Sequence, residues 1–110
     1  MTALEALVAA QQLISAPERW TQRVLARDQE GKPVLSCDQR AVCFCVIGAV
    51  NRVRGAISVV KEAELFLDRA ATELFGRYSI TFATEVNALM GHKRTLKMCD
   101  RAIELARVAA

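Results

Sequence analysis

Hydrophobic residues recur every three or four positions in three long stretches of the chain, which is the spacing of one face of an α-helix. This pattern predicts helices over residues 3–15, 58–75 and 93–107, with Ser58 as the cap of the second of these and Gly76 at its end. The first of them begins with a capping box, in which Thr2 caps the helix and Glu5 reaches back to it from three residues further on. These three helices are the main framework that the sequence predicts.

A fourth apolar stretch, AVCFCVIGAV at residues 41–50, has no polar face. A helix that is apolar on every side lies at the centre of a core, so this stretch predicts a buried second helix. Ser36 and Asp38 are its alternative N-caps, and Gly55 is its expected end. Glycine within a helix costs up to about 1 kcal/mol relative to alanine. We therefore expect another helix to approach closely at Gly48, with a kink or bulge there as the alternative.

Two cysteines, Cys43 and Cys45, lie within this stretch and raise the question of a metal or redox site. On a helix their side chains would point about 200° apart, because successive residues rotate by about 100°, and one metal ion could not bind both. The chain has no pair of cysteines at the Cys-x2-Cys spacing, and its single histidine, His92, is far along the sequence. Both cysteines are therefore expected in the core, and neither a metal nor another cofactor is predicted.

Between the first two helices the pattern changes to that of a β-hairpin. Residues 24–27 and 33–35 favour strands, and the sequence Asp28-Gln29-Glu30-Gly31 between them is typical of a type I turn. Two strands are marginally stable alone, so we expect the hairpin to pack on the helices, with Trp20 holding it to the core. Residues 77–92 fit either a strand or an irregular loop that leads into a helical turn.

Together these elements predict a mainly α fold, a compact bundle of about four helices with a small β-hairpin between helices one and two. At 110 residues the chain is too short for two cores. Residues 1–110 are therefore expected to form a single helical domain.

Composition and charge limit the function without revealing it. The net charge is +3 and no block of five like charges occurs, so the chain lacks the basic tail of many nucleic-acid-binding proteins. The N-terminus lacks the basic start of a signal peptide, and the longest apolar run, residues 41–50, is too short to cross a bilayer. A cytoplasmic protein with reduced cysteines and no membrane partner is predicted.

Several sequence features occur in order along the chain: Trp20, LARDQEGKPV at 25–34, AVCFCVIGAV at 41–50, Asn87, RT at 94–95 and DRAIELA at 100–106. This ordered set resembles a small family of uncharacterised bacterial and phage proteins, a domain of unknown function. The chain departs from the family pattern at Phe44, where Trp is usual, at Thr21, where Cys is frequent, and at Ala88, where Asp follows the Asn. The resemblance implies a shared fold and a phage or accessory-gene context, and it supplies no catalytic residues.

Two groups of neighbouring residues are candidates for a binding site. Arg27 and Asp28 lie at the hairpin turn, where a loop on a rigid scaffold often carries recognition. The alternative, which the pattern favours, is that Asp28 stabilises the turn and Arg27 pairs locally. His92, Lys93 and Arg94 form a basic cluster at the start of the last helix, where free backbone amides can meet a phosphate. The alternative is an ordinary solvated surface.

Asn87 is a further candidate, which the family resemblance singles out. Its side chain is able to bind a ligand, or to hold residues 77–92 in shape through a bond to the backbone. The second interpretation is the stronger one from sequence.

Three functions follow from these observations. The first is a small protein-interaction module that binds a protein partner or itself, because a short chain that is 53% hydrophobic has more apolar surface than one core hides. The second is a nucleic-acid-associated regulator with a basic C-terminal surface formed by Arg52, Arg54, Lys93, Arg94, Lys97 and Arg101. The third is an enzyme of unrecognised type. It comes last because no nucleophile–base motif, glycine-rich phosphate loop or metal-ligand spacing is present and no catalytic residue is predicted.

Overall fold

Helices dominate the computed structural model, which describes residues 1–53 and 56–110. The α-helices are α1 (Ala3–Leu13), α2 (Val46–Arg52), α3 (Ile57–Phe75), α4 (Ala83–Leu89) and α5 (His92–Ala109), and the strands are β1 (Ala26–Arg27), β2 (Pro33–Val34) and β3 (Cys43–Phe44). The predicted mainly α fold with a small hairpin after the first helix is confirmed. The described ranges hold five helices where about four were predicted, because residues 83–89 form one of their own. None of the described helices is both long and apolar enough to cross a membrane.

The N-terminal helix begins as its sequence predicts. Thr2 Oγ1 accepts the Glu5 N–H at 3.1 Å, and Glu5 Oε1 accepts the Thr2 N–H at 2.9 Å, so both halves of the capping box are present. At the other end, Gln11 Nε2 donates to Asp100 Oδ1 at 2.6 Å and the Ile14 carbonyl contacts His92. These contacts place α1 antiparallel to α5.

Alanines make up much of the contact between the long helices. Small side chains let helices approach closely, since the distance between their axes depends on the residues at the contact. The core is completed by larger aliphatic side chains and by Phe44, Phe66 and Phe75, of which Phe44 is fully buried. The alanines buried on α1, α3 and α5 are Ala3, Ala6, Ala10, Ala63, Ala70, Ala71, Ala102 and Ala106.

The second helix is shorter than predicted, and its expected N-caps, Ser36 and Asp38, were wrong. The stretch 41–50 divides into strand β3 and helix α2, and Cys45 caps the helix by accepting the Gly48 N–H on its sulfur at 3.2 Å. A continuous apolar run has no periodicity that separates a buried strand from a buried helix. The helical angle predicted between Cys43 and Cys45 therefore does not apply. The expected end at Gly55 lies outside the described residues.

The hairpin strands β1 and β2 belong to a three-stranded antiparallel sheet with the order β2-β1-β3, in which β1 is the central strand. Ala26 pairs with Val34 on one side and with Phe44 on the other, and this third strand was missed by the sequence interpretation. The predicted turn is present, since the Gly31 N–H donates to the Asp28 carbonyl at 3.0 Å. Gly31 has a φ of +82°, a left-handed conformation that favours glycine.

Gly48 is required by a close approach, as predicted, although the neighbour is not a helix. A Cβ placed on Gly48 would overlap the carbonyl oxygen of Leu25. The same oxygen accepts the Cys45 N–H at 3.1 Å, which fixes the chain before β1 against the start of α2. A glycine here therefore lets the sheet join the helical core.

Residues 77–92 follow the predicted loop-then-helix alternative, and a strand there is wrong. Ser79 is left-handed, with a φ of +64°, and α4 follows. The Ala83 N–H at the start of α4 donates to Asp68 Oδ1 of α3 at 2.8 Å, while Glu85 Oε1 accepts the Phe82 N–H at 3.1 Å. Carboxylates thus supply the helix with the acceptors that its first N–H groups need.

The last two long helices differ from their predicted bounds by one or two residues. The α3 helix begins at Ile57, directly after Ala56. No side chain of the described residues caps its N-terminus, so the predicted capping role of Ser58 was wrong. The α5 helix begins at His92 after Gly91, and it continues to Ala109.

Candidate interaction surface

Asn87 is a buried residue that ties three segments together. Its side chain is 2% exposed on α4. The Oδ1 atom accepts both the Val46 N–H at the start of α2 and the Trp20 Nε1–H, each at 2.9 Å, and Nδ2 donates to the Thr21 carbonyl at 3.0 Å. The sequence interpretation expected a bond within residues 77–92. The bonds instead reach two other segments, so Asn87 positions the chain before the hairpin.

The basic cluster at the start of α5 is divided between one inward and two exposed side chains. His92 Nε2 lies 2.6 Å from the Ile14 carbonyl oxygen, and its ring lies 5.2 Å from the Trp20 ring at a tilt of 41°. Lys93 and Arg94 are exposed. The three side chains therefore do not converge on one point.

The two candidates at the hairpin turn make local contacts. Arg27 donates from Nε to Thr21 Oγ1 at 2.9 Å, from Nη1 to the Gly31 carbonyl at 3.0 Å and from Nη2 to the Gln22 carbonyl at 3.3 Å. Asp28 Oδ1 accepts two backbone N–H groups of the turn at 2.9 Å. These bonds fix the shape of the hairpin and therefore the positions of the side chains on its outer face.

Those outer side chains form an apolar surface. The register that pairs Ala26 with Val34 also sets Leu25 beside Leu35, and Ala26 itself is buried. Leu25 is 41% exposed and Leu35 is 70% exposed. We call Val24, Leu25, Pro33 and Leu35 the hairpin surface. They line a shallow depression together with Val34, Asp38 and Arg40.

The rim of the hairpin surface is charged and carries both signs. Arg40 Nη2 lies 2.8 Å from Asp38 Oδ2, and its Nε lies 3.1 Å from Oδ1, a two-point pairing. These hydrogen bonds from Arg40 lower the pKa of Asp38 to about 2. At the hairpin turn, Lys32 Nζ lies 3.4 Å from Glu30 Oε2. An apolar centre with a polar rim is the anatomy of a protein interface.

A cleft of about 280 Å³ lies next to the hairpin surface and shares Val24 and Leu25 with it. Cys45 lies in its lining, and burial raises the pKa of this thiol. Within residues 1–53 and 56–110, no three His, Cys, Asp or Glu side chains are grouped as a metal site requires. The remaining lining residues are Arg23, Val46, Ile47, Thr84, Asn87 and Ala88.

Sequence reasoning missed both features, although one signal was present. The two predicted strands carry apolar residues at adjacent positions, Val24 with Leu25 and Val34 with Leu35. Adjacent residues of a strand point to opposite faces, and a short hairpin on a helical core buries one of its faces. Apolar residues on both faces therefore indicate an apolar outer surface.

Comparisons with known proteins place the chain in a family without assigning it an activity. Neither the curated proteins nor the solved structures include a match. A family model described as a family of unknown function, DUF6197, matches residues 1–105. The predicted resemblance to an uncharacterised domain family is thereby confirmed, while the bacterial or phage origin stays a prediction. The chain belongs to this family of unknown function.

Proposed function

We propose that this chain is a small protein-interaction module that associates with a second copy of itself through the hairpin surface. The observation that carries this proposal is the grouping of exposed Leu25 and Leu35 with Val24 and Pro33 around one depression. Single exposed leucines are ordinary on protein surfaces. A contiguous apolar group with a polar rim is instead typical of an interaction site.

Another exposed leucine shows why the grouping matters. Leu65 on α3 is 63% exposed, close to the value for Leu35. The depression beside it is lined otherwise by charged and polar residues, namely Asp68, Arg69, Thr72 and Glu73. Among the described residues, the depression beside Leu65 therefore has no second apolar residue in its lining, whereas the depression at the hairpin surface has several.

The contact is expected to use side chains and not added strands. Strand β2 lies at one edge of the sheet and begins with Pro33, which has no N–H to donate. Proline at a sheet edge is a common obstacle to strand addition. At the other edge, the Thr21 N–H already donates to the Phe44 carbonyl at 3.0 Å.

The charges of the rim support a second copy as the partner. A two-fold contact places the same surface on both sides, so each charge has to find its opposite on an identical neighbour. Asp38 and Arg40 line the depression as a pair of opposite charges, and Glu30 pairs with Lys32 at the adjoining hairpin turn. Such a surface is able to complement itself, whereas a rim of one sign would repel its copy.

Size-exclusion chromatography with light scattering, which measures the molar mass of the eluting protein, tests the proposal over a series of protein concentrations. We expect the wild-type mass to rise above the monomer mass with concentration, because the hairpin surface becomes covered. Leu35→Lys is expected to hold the protein as a monomer, and Leu65→Lys is the matched control with the same change at similar exposure. A wild-type monomer at every concentration, or equal effects of the two variants, would overturn the proposal.

A cytoplasmic location is part of the same proposal. Cys37, Cys43, Cys45 and Cys99 are free thiols. Free cysteines fit a reducing compartment, and disulfides are common where the environment is oxidising.

A nucleic-acid-associated regulator is the alternative and has less support from the contacts. Arg101 pairs with Glu73 at 2.8 Å and with Glu104 at 3.1 Å. Arg52 donates to two backbone carbonyls and lies over the Phe44 ring. Arg54 lies outside the described residues. Steeply salt-dependent binding of mixed-sequence DNA or RNA would favour this alternative.

An enzymatic function has no assembled site in its favour. A nucleophile needs a base within hydrogen-bond reach, as in cysteine–histidine pairs. Among the described residues that line the cleft with Cys45, none is a histidine or a carboxylate. The His92 ring nitrogen Nε2 is already engaged with a backbone carbonyl.

A further inference from the structure

The cleft beside the hairpin surface approaches the size of a small-molecule site. Its volume of about 280 Å³ is just below the range of about 300–1,000 Å³ that is typical of ligand pockets. Val24, Leu25, Val46, Ile47 and Ala88 give it apolar walls. The cleft therefore suits a ligand that is small and largely apolar.

Two polar side chains of the lining are already hydrogen-bonded within the fold, and one charged side chain of the described lining is left to bind a ligand. Asn87 uses its side-chain oxygen twice and donates from Nδ2, so it is engaged in the fold. The Cys45 sulfur accepts the Gly48 N–H. Arg23 is the charged residue among the described lining residues, and it belongs to none of the ion pairs found in residues 1–53 and 56–110.

The backbone of Arg23 is a second, independent observation. Its φ is +72°, in the left-handed region that residues other than glycine rarely adopt. Strained conformations of this kind cluster at binding sites, where the surrounding structure holds them in place. The exposed Arg23 side chain thus lies at the cleft in a backbone conformation that has a cost for folding.

We propose that the cleft binds a small apolar carboxylic acid, with the hydrocarbon chain against the apolar walls and the carboxylate at the Arg23 guanidinium. A guanidinium binds a carboxylate through two parallel N–H groups. A phosphate group carries close to two negative charges, which a single cation would leave partly unpaired. The site is distinct from the proposed self-association, although both use Val24 and Leu25.

Amide NMR titration with octanoate tests this proposal, with octanamide and octylamine as neutral and cationic probes of the same chain length. We expect saturable shifts at Val24, Ile47, Thr84 and Ala88, and tighter binding of octanoate than of octylamine. Arg23→Gln is expected to weaken octanoate binding about five-fold, the worth of a partly exposed ion pair, and to leave octanamide binding unchanged. The matched control Arg94→Gln, at an exposed arginine of α5, should leave both unchanged.

Filling the cleft gives a second test. Ala88→Leu keeps a good helix former on α4 and adds bulk to the lining, so it is expected to abolish binding of octanoate and octanamide alike. The proposal is overturned if octanoate and octylamine bind equally, if the shifts lie outside the cleft, or if Arg23→Gln and Arg94→Gln behave alike.

Repeating the titration on the Leu35→Lys variant separates the two proposals. If self-association fails but octanoate still shifts the amides of the cleft, the ligand site stands alone. If octanoate binds neither the wild type nor Leu35→Lys, the ligand site is refuted and the result leaves self-association untouched.

Discussion

Removing the Asn87 side chain is expected to destabilise the fold strongly, because this one side chain satisfies three polar groups on two other segments of the chain. Asn87→Ala deletes the acceptor for the Val46 N–H and for the Trp20 Nε1–H, and the donor to the Thr21 carbonyl. Water cannot easily replace the bond to Val46, which is fully buried. The substitution therefore leaves a buried donor without a partner.

The expected loss can be built from these three bonds. An unpaired buried N–H at Val46 costs about 1–3 kcal/mol, and each of the two part-buried bonds at Trp20 and Thr21 contributes about 0.5–1.5 kcal/mol. With the middle of each range, the expected loss in the free energy of unfolding is about 4 kcal/mol. Small domains have a total of about 5–15 kcal/mol, so the variant should be close to its stability limit.

Urea unfolding followed by far-ultraviolet circular dichroism measures this loss. Asn51→Ala is the matched control, because Asn51 is an exposed asparagine on α2, and its effect should stay within about 0.5 kcal/mol. A loss below about 1 kcal/mol in Asn87→Ala would contradict this prediction, since it would mean that the three bonds add nothing net to stability.

Three further predictions concern packing, charge and thiol chemistry. Gly48→Ala should lower the free energy of unfolding by about 2–3 kcal/mol, because the added Cβ would overlap a backbone carbonyl. Arg40→Gln should raise the pKa of Asp38 part of the way from about 2 towards its ordinary value, as an NMR pH titration would show; the backbone N–H of residue 40 still donates at 2.8 Å. A thiol reagent should modify exposed Cys37 first and Cys99 only on unfolding, because burial raises the pKa of Cys99 to about 12.

Each of these has an outcome that contradicts it. Gly76→Ala is the control for Gly48→Ala, since its added Cβ would meet only a methyl group at 3.8 Å, and equal losses would refute the packing argument. The pKa of Asp38 is depressed in the folded state, so its pairing stabilises the fold above the ordinary pKa and is lost as the pH falls towards about 2. An unchanged Asp38 titration in Arg40→Gln, or early modification of Cys99, would contradict the other two.

Local signals predicted the elements that local contacts stabilise. The capping box of Thr2 and Glu5 and the turn from Asp28 to Gly31 involve residues three apart, and both are present. The α4 helix was harder, because the acceptor at its start comes from Asp68 on another helix. Phe82, at its N-cap position, gives no capping signal in the sequence.

Contacts between distant segments account for the other errors. Strand β3 exists because Phe44 pairs with Ala26, and a fully apolar run carries no period that reveals such pairing. Trp20 and Asn87 each stood out in the sequence, but their bond joins residues far apart in the chain. The exposed position of Leu35 likewise depends on which face of the hairpin the helices cover.

Contacts between two copies of the chain are the most direct evidence for or against self-association through the hairpin surface. An NMR sample that mixes isotopically labelled and unlabelled protein reports only the proton pairs that lie close together across an interface. We expect such signals between the methyl groups of Leu25 and Leu35 in one copy and the hairpin surface of the other. Signals from a different surface, or none at concentrations where the mass exceeds that of a monomer, would contradict it.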